Sequence, residues 1–123
     1  MRMWMVPPAL LCQQHLLGEH VETHMFLGAV RKGKNLGGYM RRNQFFPEEL
    51  KPRHDALAAE MLRRGLKHNS PLMTQAGDVE QLLPYTYDPE NPGQPDTAHV
   101  DEALRDLRTR CLKCAARQQG VKA

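Results

Sequence analysis

The chain is predicted to fold as an all-α, compact single domain of about three main helices joined by long loops. Three observations carry that prediction. Apolar residues recur at three- and four-residue steps in three separate segments, the period of a helix with one buried face. No segment shows a convincing two-residue alternation of the kind a half-buried strand requires. The 123 residues suffice for one modest hydrophobic core but not for two, so residues 1–123 are read as one domain without repeats or low-complexity tracts.

The first helix is placed from about residue 8 to residue 28. Pro7 and Pro8 suit a helix entry, and Leu10, Leu11, Leu17, Val21, Met25 and Leu27 follow at helical spacing, with Gly18 as the weak point. The stretch from Arg31 to Arg42 holds too many glycines for a comfortable helix or strand and reads as a loop carrying Arg31, Lys32, Lys34, Arg41 and Arg42. A second helix opens near Pro47, where Glu48 and Glu49 suit the helix dipole. It breaks or kinks at Pro52 and runs to about Lys67, burying Leu57 and Met61 together with Leu50 and Leu66. Asn69 to Gln94 is rich in proline and reads as a long connection. Asp96 or Thr97 then caps a third helix over residues 97–118, with Val100, Ala103, Leu104, Leu107, Cys111 and Cys114 on one face.

Composition narrows the function classes. Hydrophobic residues make up 41% and the mean hydropathy is −0.61. No apolar run approaches the roughly 20 residues of a membrane span. The opening Met-Arg-Met-Trp, followed by Pro7 and Pro8, resembles neither a signal peptide nor an anchor. A cytoplasmic protein of a bacterium or a phage-infected cell is expected, and a monomer. The cysteines Cys12, Cys111 and Cys114 form an odd set with no disulfide framework, which fits a reducing compartment.

Cys111-Leu-Lys-Cys114 has the spacing of half a zinc site, but no second CxxC or finger-like histidine pair follows it. A metal site drawn from His20, His24, Cys111 and Cys114 is one competing reading; the favoured expectation is no metal and no organic cofactor. Net charge is only +3, yet it is unevenly spread. Residues 1–72 hold 11 basic and 6 acidic side chains, residues 73–100 none and 5, and residues 101–123 hold 6 and 3. Basic flanks on an otherwise modestly charged chain point to a phosphate-bearing partner.

The residues that carry chemistry cluster near the start of the chain. Steps of four and three residues stack His15, Glu19 and Glu22 over two turns of one helical face, placing a nitrogen base and two carboxylates in a stripe. An α-amine titrates intrinsically near about 7.7–8.0, well below the about 10.4 of lysine, so part of it is neutral at pH 7. Such an amine can attack a sugar or carbonyl carbon and form a Schiff base. The competing reading is an ordinary amphipathic helix whose His and Glu side chains face water.

Laid out in this way, the chain resembles the pyrimidine-dimer DNA glycosylase/AP lyase family, the phage endonuclease V type. The resemblance covers roughly residues 1–72. It rests on Arg2 after the terminal residue, the triplet Gln14-His15-Leu16, Glu19, Glu22, the phrase Phe26-Leu-Gly-Ala-Val-Arg-Lys32, and the turn Glu60-Met-Leu-Arg-Arg-Gly65. The resemblance implies a compact helical enzyme that engages damaged double-stranded DNA, extrudes a nucleotide and attacks its C1′ with the terminal α-amine. A glutamate then assists Schiff-base formation and the β-elimination that nicks the strand.

Carried onto this sequence, the nucleophile falls on Met1 and the glutamate on Glu22. Arg2 is expected to block removal of the initiator methionine, which keeps Met1 in register with Glu22. Arg2, Gln14, His15, Arg31, Lys32, Lys34, Arg41 and Arg42 are the candidate DNA contacts. Val21 and Met25 stand where the family places arginines that grip the phosphates around the lesion, and His20 and His24 are candidate replacements. Trp4 is read either as a stacking wedge or as a core residue. The C-terminal helix over 97–118 diverges from the family's aromatic-rich segment. A non-catalytic basic helical DNA-binding module is the alternative function.

Overall fold

A computed structural model describes residues 1–72 and 97–120. Among these residues the protein is all-α. Its helices are α1 (Gln13–Arg31), α2 (Gly37–Arg41), α3 (Leu50–Arg63), α4 (Thr97–Arg110) and α5 (Leu112–Gln118), with 3-10 turns at Pro8–Leu10 and Pro47–Glu49. α1 packs along α3, and α4 along α5. Most of the expected proline-rich connection, and Asp96 of the expected cap, lie outside the described residues, and Thr97 is the first residue of α4. Among those described, no helix is long and apolar enough to cross a membrane.

α1 begins at Gln13, later than the expected residue 8. Pro8–Leu10 instead close a 3-10 turn, and Leu11 leaves it in extended conformation (φ −85°, ψ 137°). Carbonyls in and just after that turn are satisfied from the residue that caps α3: Arg64 Nη2 donates to Pro8 O at 3.1 Å and to Leu11 O at 2.7 Å. At its other end α1 runs three residues beyond the expected boundary and stops at Gly33, whose φ of +68° only glycine adopts without strain. The Gly33 amide donates to Val30 O and the Lys34 amide to Ala29 O, the paired bonds of a Schellman closure. Gly65 (φ +76°) ends α3 in the same way, so the Glu60–Gly65 phrase does close the second long helix.

Three further expectations need correction. The glycine-rich stretch is not all loop, because Gly37–Arg41 forms the short helix α2. Leu36 and Met40, four residues apart and both buried, hold it on the core, and Asn35 Oδ1 accepts from the Gly37 amide at 2.9 Å. Pro52 does not kink a helix. It occupies the third residue of α3, where its missing amide has no helical partner to lose, and the break falls earlier, between Pro47–Glu49 and Leu50. The third helix is not continuous either. Cys111 adopts extended φ −138° and ψ 111°, ending α4, and its sulfur accepts from the Cys114 amide at the start of α5.

The core is divided by α1. Phe26, Leu27 and Val30 on its C-terminal half join Met3, Met40, Phe45, Phe46 and Leu50 in one apolar cluster, in which Phe26 stacks on Phe45 at 4.5 Å. Leu16 on its N-terminal half joins Val6, Leu11, Leu57, Met61, Leu107 and Cys114 in another. Between them the buried stripe of α1 is polar: Glu19, His20 and Thr23 are all buried. Glu19 receives Arg53 Nε at 2.6 Å and Nη2 at 2.8 Å, and Arg53 Nη1 donates to Val6 O at 2.6 Å. This pair clamps α1, α3 and the N-terminal segment at one point.

Candidate active site

The first seven residues thread across the helices as a segment pinned at Arg2, Met3 and Val6. Met3 and Val6 are fully buried. The Met3 amide donates to Gln44 O at 2.7 Å, and the Arg2 amide donates to Glu22 Oε2 at 3.1 Å. Glu22 is therefore hydrogen-bonded to the peptide group that follows Met1. Met5 sits at φ +61°, a left-handed conformation that a non-glycine residue adopts only where its surroundings enforce it. Here the buried Met3 and Val6 on either side supply that enforcement.

Met1 and Glu22 line one open pocket of about 470 Å³, together with Arg2, Trp4, Gln14 and Arg110. His15 and Glu19 also reach its wall, so the stripe of three side chains does face one place. Their environments differ sharply. Glu22 is part-buried and accepts from a main-chain amide, Glu19 is buried against Arg53, and His15 turns its Nδ1 toward Cys12 Sγ at 3.2 Å. The reading of a water-facing helix with idle charges is thereby corrected. The reason is tertiary: α3 and the N-terminal segment both pack on that face.

The expected DNA contacts divide into distinct groups. Lys32 and Lys34 line a depression beside Met1 that also includes Met25 and Tyr39. Arg42 lines a further depression that shares Arg2, Trp4, Gln44 and Arg110 with the Met1–Glu22 pocket. Lys32, Lys34, Arg41 and Arg42 are exposed, as are Arg31 and Gln14. Arg2 is internally engaged: Nη1 meets Asp106 Oδ2 at 3.2 Å, and its guanidinium lies 4.0 Å from the Trp4 ring centroid. Trp4 is half-buried against the second apolar cluster, with an edge toward His15 at 5.9 Å. Val21 and Met25 are 55% and 50% exposed, in keeping with positions that face a partner.

His20 is not available for phosphate contact, since it is buried at the α1–α3 seam. Its Nε2 lies 3.1 Å from His54 Nε2, and the rings of His24 and His68 close around the pair with centroids 4.8–5.2 Å apart. Burial, then the neighbouring His54, His24 and His68, pushes the His20 pKa down to about 4. Burial, then the neighbouring His54 and His68, lowers His24 as well. Folding thus holds His20 and His24 neutral where the unfolded chain would protonate them. The stability they contribute is complete above about pH 6.5 and lost as pH falls toward about 4. Thermal unfolding followed between pH 7 and 4 is expected to show a falling midpoint across that window, with a shallower fall in His20→Phe; a midpoint independent of pH there would remove the histidines as its cause.

Two groups among the described residues have metal-binding side chains in reach of one another: Cys12, His15, Cys111 and Cys114, and separately His20, His54 and His68. The metal set considered from sequence, His20 and His24 with Cys111 and Cys114, is not assembled. His20 and His24 pack with other histidines, while the cysteine pair meets Cys12 and His15. The sequence signal for the observed set was Cys12-Gln-Gln-His15, which has the same two-residue gap as the later cysteine pair.

Comparison with known proteins places this site in context. The sequence model of a family described as pyrimidine dimer DNA glycosylase matches residues 1–74, the segment that carries Met1, Glu22, Lys32, Lys34 and Arg42. No curated protein matches the chain, and no solved structure does.

Proposed function

The chain belongs to the pyrimidine dimer DNA glycosylase family, and from that premise we propose that it is a DNA repair N-glycosylase/AP lyase whose nucleophile is the Met1 α-amine and whose assisting carboxylate is Glu22. The observation that carries this reading is the hydrogen bond from the Arg2 amide to Glu22 Oε2 at 3.1 Å, which brings the carboxylate within one residue of the amine in a shared open pocket. Neutral Met1 nitrogen attacks C1′ of a pyrimidine-dimer or abasic nucleotide. At a lesion the glycosidic bond breaks and the base departs; at an abasic site water leaves instead. The nitrogen sheds its proton to Glu22, which passes it to the ring oxygen as the sugar opens, leaving a protonated imine at C1′. Glu22, ionised again, takes a C2′ proton as the C3′–O bond breaks and the 3′ phosphate leaves, nicking the strand, and water then hydrolyses the imine to release the protein.

Lys32 and Lys34 on one side of Met1, and Arg42 and Arg110 on the other, would hold phosphates on both flanks of the extruded nucleotide. Extrusion costs a few kcal/mol and least where pairing is already damaged, which favours lesions without sequence readout. Arg31, Arg41, Gln14 and His15 complete the proposed contact surface. Arg2 supports it from within, through Asp106 and Trp4.

Borohydride trapping on abasic and thymine-dimer duplexes tests the reading. A covalent adduct is expected with the free α-amine and none when one extra residue precedes Met1. Absence of an adduct on both duplexes would leave the basic DNA-binding module. A smaller effect is expected at the exposed position where this chain lacks an arginine. Met25→Arg should steepen the slope of log affinity against log salt by about 0.9, one phosphate contact's worth. An unchanged slope in a duplex-binding titration would place Met25 outside the interface.

A further inference from the structure

We propose that Cys12, His15, Cys111 and Cys114 form a structural zinc site that fastens the start of α1 to the junction of α4 and α5. Their ligand atoms all lie within 4.8 Å of one another. Cys12 Sγ is 3.2 Å from His15 Nδ1 and 3.9 Å from Cys111 Sγ, and Cys114 Sγ is 3.5 Å from the same Nδ1. A tetrahedral zinc ion with bonds of about 2.3 Å to sulfur and about 2.0 Å to nitrogen separates two sulfurs by about 3.8 Å and a sulfur from a nitrogen by about 3.5 Å. These three separations thus fall within about 0.3 Å of the edges of the tetrahedron the ion would impose.

The local backbone is arranged for the same end. Cys12 and Cys111 each flank the start of a helix, and His15 and Cys114 sit three residues on, one turn along α1 and α5. Cys111 interrupts the α4–α5 helix in extended conformation, which is what turns its sulfur toward Cys12. Cys12 makes no side-chain capping bond, so its sulfur is not committed to the helix it precedes. The Cys12 amide donates to Cys114 Sγ at 3.3 Å and the Cys114 amide to Cys111 Sγ at 3.4 Å. Amide donors of this kind offset the charge of thiolate ligands, orienting them as outer hydrogen bonds do in metal sites.

The three cysteines are free, and the 3.9 Å between Cys12 and Cys111 is nearly twice a disulfide bond. Three sulfurs and one imidazole are a donor set that selects zinc over magnesium, calcium or manganese. Four protein ligands leave no open position for water, which fits a structural rather than a catalytic ion. Binding would release the three thiol protons to solvent, and three thiolates with one Zn²⁺ leave a net charge of −1 on the site. The partial exposure of His15 and Cys111 gives the ion a route in, while Cys12 and Cys114 are buried. This proposal revises the expectation of a metal-free protein and does not depend on the lyase reading.

The test is zinc content and zinc-edge X-ray absorption on the full chain purified from zinc-supplemented cells without chelator. One zinc ion per chain is expected, with three sulfurs at about 2.3 Å and one nitrogen at about 2.0 Å. Chelation should lower the thermal unfolding midpoint, and added zinc should restore it. Cys111→Ser should lose the ion, whereas His54→Gln should keep it. The absorption spectrum needs no variant, so misfolding of Cys111→Ser would not blunt the result. A zinc-free protein with three titratable thiols, a Cys111–Cys114 disulfide, or an ion bound only by nitrogen and oxygen would each overturn the proposal.

Discussion

Glu22→Gln is expected to slow strand nicking at an abasic site by about 10²–10⁴-fold, the usual contribution of a positioned proton acceptor. The substitution keeps size and the ability to accept the Arg2 amide, whose bond to Oε2 spans 3.1 Å, but cannot take a proton. Duplex affinity and the unfolding midpoint should therefore stay near those of the native protein. Single-turnover nicking measured beside binding and melting separates these quantities. Nicking at the native rate would dismiss Glu22 from the chemistry, and a collapse in melting temperature would recast it as a structural residue.

Glu19→Ala, three residues away on the same helix, is expected to do the opposite. It strands the Arg53 guanidinium, which is only 5% exposed, without a partner, and removal of one member of a buried pair typically costs about 3–5 kcal/mol. Chemical denaturation should report that loss. The double variant Glu19→Leu with Arg53→Met should recover much of it, because the uncompensated charge goes with its partner. Full recovery is not expected, since Val6 O loses the Arg53 Nη1 donor that now lies 2.6 Å away. A Glu19→Ala protein as stable as the native one would mean that the clamp contributes nothing to the seam between α1 and α3.

The contrast between these glutamates shows where sequence reading stopped. Periodicity correctly placed His15, Glu19 and Glu22 on one face, because that depends only on helical geometry. It could not tell which carboxylate would be buried, because Arg53 reaches Glu19 from 34 residues away. The same holds for Cys111: the apolar stripe from Val100 to Cys114 predicts one helix, but the helix breaks at Cys111, whose sulfur lies 3.9 Å from that of Cys12, 99 residues earlier. Short-range signals behaved differently. Gly65 closed its helix as the local sequence required, and only the capped burial of Leu36 and Met40 turned a stretch read as loop into α2. The shared face of His15, Glu19 and Glu22 was legible because helical spacing decides it, whereas the meeting of the N-terminus with Glu22, across 20 residues, was expected only from the family resemblance.

With Met1 as the proposed nucleophile, the pinned N-terminal segment should leave the site tolerant of composition and intolerant of length. Both of its anchoring bonds near the terminus, Arg2 N–H to Glu22 and Met3 N–H to Gln44 O, are made by main-chain amides. Exchanging the side chain at position 1 leaves them in place. Inserting or deleting one residue ahead of Met3 slides the terminus by about 3.3–3.6 Å, farther than any hydrogen bond can stretch. The segment works as a ruler: a library of side chains at its first position should yield mostly active variants, and a library of single-residue insertions and deletions almost none.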